Sequence, residues 1–106
     1  MAGMFLRNEI SEDQVELSVT GLLRGTAVAE FHGLLRMLAT KDYKLITINM
    51  RESEAINSAA IGILISVTKS LRPGRSLRMT GCSASLLEKL RTLRLDVLIK
   101  IEGRDE

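Results

Sequence analysis

The sequence predicts an α/β fold in which a mixed β-sheet carries helices, with the elements in the order β-β-α-β-α-β-α-β. Val15, Leu17 and Val19 alternate with polar residues, which is the period of a half-buried strand. Apolar residues between positions 28 and 38 recur at spacings of three and four, which is the period of an amphipathic helix. Helix and strand patterns alternate along the chain after an initial pair of strands, and this alternation is typical of a sheet that carries helices.

The first half of the chain supplies two strands, a helix and a third strand. Residues 4–10 form a weaker strand, and the polar turn at residues 11–13 joins it to the alternating strand. Residues 21–25 end that second strand, and Thr26 is the predicted N-cap of the first helix. A β-rich run at residues 44–50, KLITINM, then predicts the third strand.

The second half repeats the alternation. An apolar run that starts near Ser58 favours a helix to position 71, and Pro73-Gly74 follow it as a turn. Residues 76–80 predict a strand, and Ser85 with Glu88 has the spacing of a capping box for a third helix that runs to about position 94. Residues 96–101, DVLIKI, predict the last strand.

Length and composition limit the classes of function. A chain of 106 residues is long enough for one core, so residues 1–106 are expected to form a single domain. The net charge is +2, the basic residues are scattered, and aromatic residues make up 3%, so neither nucleic-acid binding nor base stacking is indicated. A single cysteine and the lack of a signal-peptide pattern favour the cytoplasm. The longest apolar run, residues 59–65, is far shorter than the roughly 20 residues of a membrane helix, so no membrane insertion is expected.

The sequence lacks the residue combinations expected of a catalytic or metal-binding site. The one histidine, His32, falls in a predicted helix where a surface position is expected, and the sequence has no nucleophile elbow or phosphate-binding loop. Cys82 has neither a second cysteine nor a nearby histidine, which favours an inert buried thiol. Glu52 and Glu54 are expected in a solvated loop before the second helix. We therefore predict no catalytic residue, metal or cofactor.

The start of the second helix allows two roles for Ser58. Either Asn57 or Ser58 is able to cap the helix, and composition alone favours this structural role. Because a cap requires only one of them, the other side chain is left free near helix amides that tolerate negative charge. A phosphate on Ser58 would add about −1.5 to −2 charge and would disrupt a docking interface without unfolding the domain.

The second helix has a second apolar face. Its sheet-facing side is predicted to contain Ile61, Leu64, Ile65 and Thr68, and the opposite side carries small and apolar residues: Ala59, Ile63, Ser66, Val67 and Ser70. An apolar surface beside Ser58 suggests a docking partner. Burial beneath another part of the same domain, or a seam between two copies of the chain, would also account for it.

The segment NSAAIG after the strand KLITINM resembles the hallmark of STAS domains, Asp-Ser-Ser/Thr-Gly-Leu-Gly. Asn57 stands at the family's Asp, Ser58 at the phosphorylated Ser, Ala59 at the second Ser or Thr, and Ala60 at the Gly. The segments VTGLLRG and SASLLEKLRTLRLDVLIKI are similar to the family's LxGELD segment and to its last helix and strand. Arg24 replaces the acidic residue of the GELD segment.

The resemblance implies a STAS-like mixed sheet and the function of a bacterial anti-sigma factor antagonist. Such a protein binds a switch kinase of the GHKL ATPase type, phosphorylation of Ser58 releases it, and a PP2C-type phosphatase resets it. The expected partner-binding residues are Asn57, Ala59, Ala60, Ile63, Val67 and Arg24. We expect a monomer or weak homodimer. The alternative is a constitutive STAS subunit that docks on a transporter ATPase or a stress-sensing complex without phosphate control.

Overall fold

The computed structural model describes residues 4–104 apart from the Glu54 side chain, so the ends of the expected domain, residues 1–3 and 105–106, lie outside the described residues. Five strands and three α-helices follow one another in the predicted order, which is confirmed. The strands are Phe5–Glu9 (β1), Gln14–Leu23 (β2), Leu45–Ile56 (β3), Ser76–Cys82 (β4) and Lys100–Gly103 (β5). The helices are Thr26–Ala39 (α1), Ser58–Ser70 (α2) and Ala84–Thr92 (α3), and a 3₁₀ turn spans Leu95–Val97.

The strands form one mixed sheet in the order β1-β2-β3-β4-β5. The hairpin pairs β1 with β2 antiparallel, and each later strand pairs parallel with the strand before it. Parallel crossovers are right-handed, and here each one moves one strand further in the same direction, so the three helices cover the same face of the sheet. The carboxyl ends of the four parallel strands consequently share one edge.

The core between the sheet and the helices is almost wholly aliphatic. Along β2, Val15, Leu17 and Val19 are buried while the residues between them are partly exposed, as the alternation predicts. Phe31 of α1 is fully buried, and its ring stacks on Phe5 with the ring centroids 6.0 Å apart. This packing fixes α1 against the outer part of the sheet.

The strands β2 and β3 are longer than predicted. Gly21, expected to end β2, instead pairs with Ser53, and β2 continues to Leu23 across two register shifts. The extension of β3 to Ile56 contains Glu52 and Glu54, so their predicted position in a loop is wrong. The physical reason is the pairing of each extension with the other, which supplies backbone hydrogen bonds that neither segment could make alone.

Two predicted helix caps are also wrong. Gly25, rather than Thr26, occupies the N-cap position of α1, and no side chain caps that helix. Ser83, rather than Ser85, caps α3 by accepting a hydrogen bond from the Leu86 amide at 3.2 Å. This cap directly follows Cys82, the last residue of β4, so the strand leads into the helix without a loop.

The last strand begins later than predicted. Arg94 adopts a left-handed conformation, with φ of 61°, after the end of α3. The chain then forms the 3₁₀ turn over residues 95–97, so β5 begins at Lys100 rather than at position 96.

Replacement of glycine by alanine is expected to have opposite effects on stability at Gly81 and at Gly33. Gly81 has φ of +68°, and a methyl group added there would lie 2.8 Å from the backbone nitrogen of Arg51. We expect Gly81→Ala to lower the free energy of unfolding by about 2 kcal/mol or more. Gly33 is exposed in α1 with no atom near its added methyl group, so Gly33→Ala should raise it by up to about 1 kcal/mol. Urea denaturation measures both, and equal effects of the two substitutions would contradict the close approach of β4 to β3.

Candidate functional site

The candidate site lies where β3 ends and α2 begins. Asn57 is the N-cap of α2, and its side-chain oxygen accepts a hydrogen bond from the Ala60 amide at 3.0 Å. The Asn57 amide in turn donates to the Leu23 carbonyl at 3.3 Å, which joins the start of α2 to the end of β2. The sequence left open whether Asn57 or Ser58 caps α2, and the structure shows that Asn57 does.

Ser58 is the first residue of α2 and is exposed. Within the described part of the chain its hydroxyl makes no side-chain hydrogen bond, because the Asn57 side chain already serves the available cap position. The hydroxyl is thus accessible to a modifying enzyme. A negative group attached to it would lie at the positive end of the α2 dipole, where it is electrostatically tolerated.

A shallow apolar groove lies on the β2 side of Ser58. The pairing of Leu22 with Ala55 and of Leu23 with Ile56 brings Arg24 beside Asn57. The groove has a volume of about 130 Å³ and is lined by Leu22, Leu23, Arg24, Ala55, Ile56 and Asn57. Arg24 is exposed, so its guanidinium is available at the rim.

A second groove, of about 170 Å³, lies on the α3 side of the same strand end. It is lined by Ala55, Ile56, Ser85, Leu86 and Lys89. Lys89 is not among the predicted partner-binding residues, although its spacing of four residues from Ser85 predicts that the two share a face of α3. Nothing in the sequence indicates which part of the sheet that face meets. Ala55 and Ile56 belong to both grooves, so the end of β3 forms a ridge between Arg24 and Lys89.

The predicted docking face of α2 is smaller than expected. Ala60 and Val67 are 0% exposed, so their predicted position on a partner-binding surface is wrong. Helix α1 packs beside α2, and Arg36 donates to the Ser66 hydroxyl at 2.8 Å. Burial within the same domain therefore explains this part of the face, while Ala59 is exposed and Ile63 is half-buried.

The strand end that supports the site is fixed by Arg104. The regular pairing of β3 with β4 ends at Asn49 and Thr80. Beyond it, the Arg104 guanidinium bridges the two strands by donating to the Gly81 carbonyl at 2.9 Å, the Ser53 carbonyl at 2.9 Å and the Met50 carbonyl at 3.3 Å. These bonds satisfy three backbone oxygens that lie past the end of that pairing.

Cys82 lies close to this bridge but has no features of a reactive cysteine. Its side chain is buried, and burial raises the pKa of the thiol to about 11, while the charge of Arg104 lowers it by a smaller amount. The thiol is consequently protonated at neutral pH. Since the thiolate is the nucleophilic form, Cys82 contributes to packing rather than to chemistry.

Two kinds of feature are absent from the described residues. In residues 4–104, with the Glu54 side chain left aside, no cluster of three His, Cys, Asp or Glu side chains has an arrangement that would hold a metal ion. Over the same residues, no helix combines the length and the apolar character needed to cross a membrane.

The division of roles between Asn57 and Ser58 is testable by stability. Asn57→Ala removes the cap and should lower the free energy of unfolding by about 1 kcal/mol, whereas Asn57→Asp keeps an acceptor oxygen and should be close to neutral. Ser58→Ala is the matched control and should change stability little. Chemical denaturation of the three variants measures these differences. A loss in Ser58→Ala and none in Asn57→Ala would reverse the assignment of the cap.

Solved structures similar to this chain share its fold at low sequence identity. An anti-sigma factor antagonist from Mycobacterium paratuberculosis has a TM-score of 0.83 at 12% identity, over 92% of this chain and 83% of the other. The Bacillus cell fate determinant SpoIIAA in its phosphorylated form has a TM-score of 0.73 at 13% identity, over 92% and 89%. A sulfate transporter family protein from Wolinella succinogenes has a TM-score of 0.73 at 17% identity, over 92% and 82%. These similarities establish a common fold.

Comparison at the level of sequence identifies the family. No curated protein sequence matches the chain significantly. The family profile described as "Mlab, STAS domain" matches residues 6–100, which include all but the first residue of the hairpin strands, the Asn57-Ser58 segment and the whole of α3. With the order of elements and the fold of its structural neighbours in agreement, the chain belongs to the STAS domain family.

Proposed function

We propose that this protein is a phosphorylation-switched binding module of the anti-sigma factor antagonist type. In its unphosphorylated form it binds a serine kinase of the GHKL ATPase type that also acts as an anti-sigma factor, and phosphorylation of Ser58 releases it. The observation that carries the proposal is the exposed Ser58 hydroxyl, which the Asn57 cap leaves free. A serine required for the helix start would be a poor site for reversible modification.

The surroundings of Ser58 support an effect on binding rather than on folding. Ser58 lies outside the core. A phosphate carries a charge of about −1.5 to −2, which the N-terminus of α2 tolerates. The proposed docking surface consists of Asn57, Ala59, Ile63 and Arg24 around that serine. A phosphate in the middle of this surface would change its charge while the core beneath remains intact.

The remaining parts of the proposal follow from the same family. A PP2C-type phosphatase would remove the phosphate and return the protein to its binding form. The structural similarity to SpoIIAA, which is known in a phosphorylated form, supports a switch of this kind. We propose that the protein acts in the cytoplasm as a monomer or weak homodimer, with no cofactor and no catalytic activity of its own.

The switch is tested by incubating the protein with ATP and each purified GHKL-type kinase of the source cell. We expect intact-mass spectrometry to detect one phosphate on Ser58, and none in Ser58→Ala. Calorimetry should detect kinase binding by wild type and Ser58→Ala and a loss of at least about tenfold in affinity for Ser58→Asp, because the added charge lies within the interface.

Ser76→Asp is the matched control for this test. Ser76 is exposed at the start of β4, on the edge of the sheet opposite Ser58, so its replacement should leave kinase binding unchanged. Full-strength binding by Ser58→Asp, or a phosphate acquired by Ser58→Ala, would refute the switch.

A second candidate function is a constitutive subunit that docks on a transporter ATPase or a stress-sensing complex. Two observations favour it. Asn57 and Arg24 occupy positions where the family usually has carboxylates, and one structural neighbour is a sulfate transporter family protein. In this role Ser58 would be part of a permanent interface and would carry no phosphate.

Purification of the tagged protein from its own cells distinguishes the two functions. A constitutive subunit should co-purify with an ATPase of a transporter or sensing complex, with Ser58 unmodified under all growth conditions. A fraction that carries phosphate on Ser58 and has lost its partner would exclude this candidate.

A further inference from the structure

We infer that the docking partner presents an acidic, apolar surface to this protein, with carboxylates that pair with Arg24 and Lys89 on the two sides of the β3 end. This inference rests on the proposed function and specifies the chemistry of its partner. The two cations would determine which kinase the protein recognises. Ser58 lies at the same edge of the sheet, where the ridge formed by Ala55 and Ile56 ends.

The backbone fixes the position of both cations. Arg24 directly follows Leu23, whose carbonyl accepts the hydrogen bond from the Asn57 amide at 3.3 Å. Lys89 lies on α3, which is capped at Ser83 immediately after β4 and meets the end of β3 through Leu86. Arg24 thus lies one residue beyond a strand end and Lys89 lies within a helix, so neither cation is carried by a long loop.

The charges of the two grooves have one sign. Arg24 is the only charged residue that lines the first groove, and Lys89 is the only one that lines the second, among the residues and side chains that the structure describes. The ion pairs in that part of the chain join Glu102 to Arg78 and to Lys100, and Glu102 and Lys100 lie on the outer strand β5. Arg24 and Lys89 thus have no acidic partner within the described side chains, and an external carboxylate would complement them.

The floors of the grooves define the rest of the partner surface. They consist mostly of aliphatic side chains, of which Leu23, Ile56 and Leu86 are already buried in the free protein. The apolar surface left for a partner is that of the exposed Ala55 and the half-buried Leu22, which a fully charged partner segment would leave uncovered. The complementary surface is an apolar side chain flanked by Asp or Glu, which would bury the ridge and pair with the cations at its rim.

The same charges provide a mechanism for release. A phosphate on Ser58 would bring negative charge to the edge where Arg24 and Lys89 hold the partner's carboxylates. The phosphate would repel the partner's carboxylates, and it would compete with them for Arg24, which lies beside Asn57. Release would then follow from this repulsion and competition.

The test is a charge-reversal series measured against each purified GHKL-type kinase domain of the source cell. We expect Arg24→Glu and Lys89→Glu each to weaken binding about tenfold, and the double variant to weaken it further. The dissociation constant should also rise with added sodium chloride, and it should rise less for the double variant than for wild type.

The controls are Arg91→Glu, on the same helix as Lys89, and Arg72→Glu. Both residues are exposed and line neither groove, so binding should change less than about twofold.

Folding of each variant is checked by circular dichroism, and Arg24→Gln with Lys89→Gln serve as neutral replacements should a reversed charge impair folding. Normal binding by the double variant, together with release of Ser58→Asp, would overturn the acidic partner and leave the switch intact. Binding of wild type to none of the kinase domains, with no phosphate on Ser58, would overturn the proposed function and this inference with it.

Discussion

The hydrogen bonds of the Arg104 guanidinium are the interaction on which the site depends. They join the carbonyls of Gly81, Met50 and Ser53 just beyond the end of the regular pairing of β3 with β4. Without them, buried backbone oxygens would lack partners, and the extended end of β3 would be held by β2 alone. An arginine suits this position because its planar group donates in several directions at once.

The end of this pairing also determines which element lies beside the end of β3. Because β4 leaves its pairing after Thr80, α3 begins beside the end of β3 and forms the wall of one groove. On the other side, β2 follows β3 to Leu23 and supplies the wall of the first groove. The two grooves and the cations at their rims therefore lie where the regular parallel pairing shifts or ends on each side of β3.

The order of elements could be predicted from the sequence because it depends on local patterns. The alternation around Leu17 and the spacing of Phe31, Leu35 and Leu38 are visible in a single chain, and the structure confirms both elements. The strand extensions were not predictable, since the pairing of Gly21 with Ser53 joins residues distant in sequence. Local rules also misplaced two helix caps. For α3 the reason is that β4 extends to Cys82, which places the cap at Ser83.

The site divides in the same way. The residue types alone predict Asn57 and Ser58 as site residues. The position of Lys89 at the second groove could be predicted only by knowing which strand α3 meets. Helix α2 illustrates the converse error. Its second apolar face suggested a partner, whereas α1 covers Val67 and places Arg36 over Ser66. An apolar helix face in a small α/β domain is as readily covered by a neighbouring helix as by another protein.

The Asn57 cap has a consequence for how this surface is able to evolve. Position 57 is constrained by the α2 backbone, which needs a short acceptor side chain to pair the Ala60 amide. Position 58 carries no such structural duty, so selection on it comes only from whatever binds or modifies the protein. Related chains are therefore free to gain or lose a modifiable hydroxyl in a single substitution, without first acquiring a compensating change in the fold.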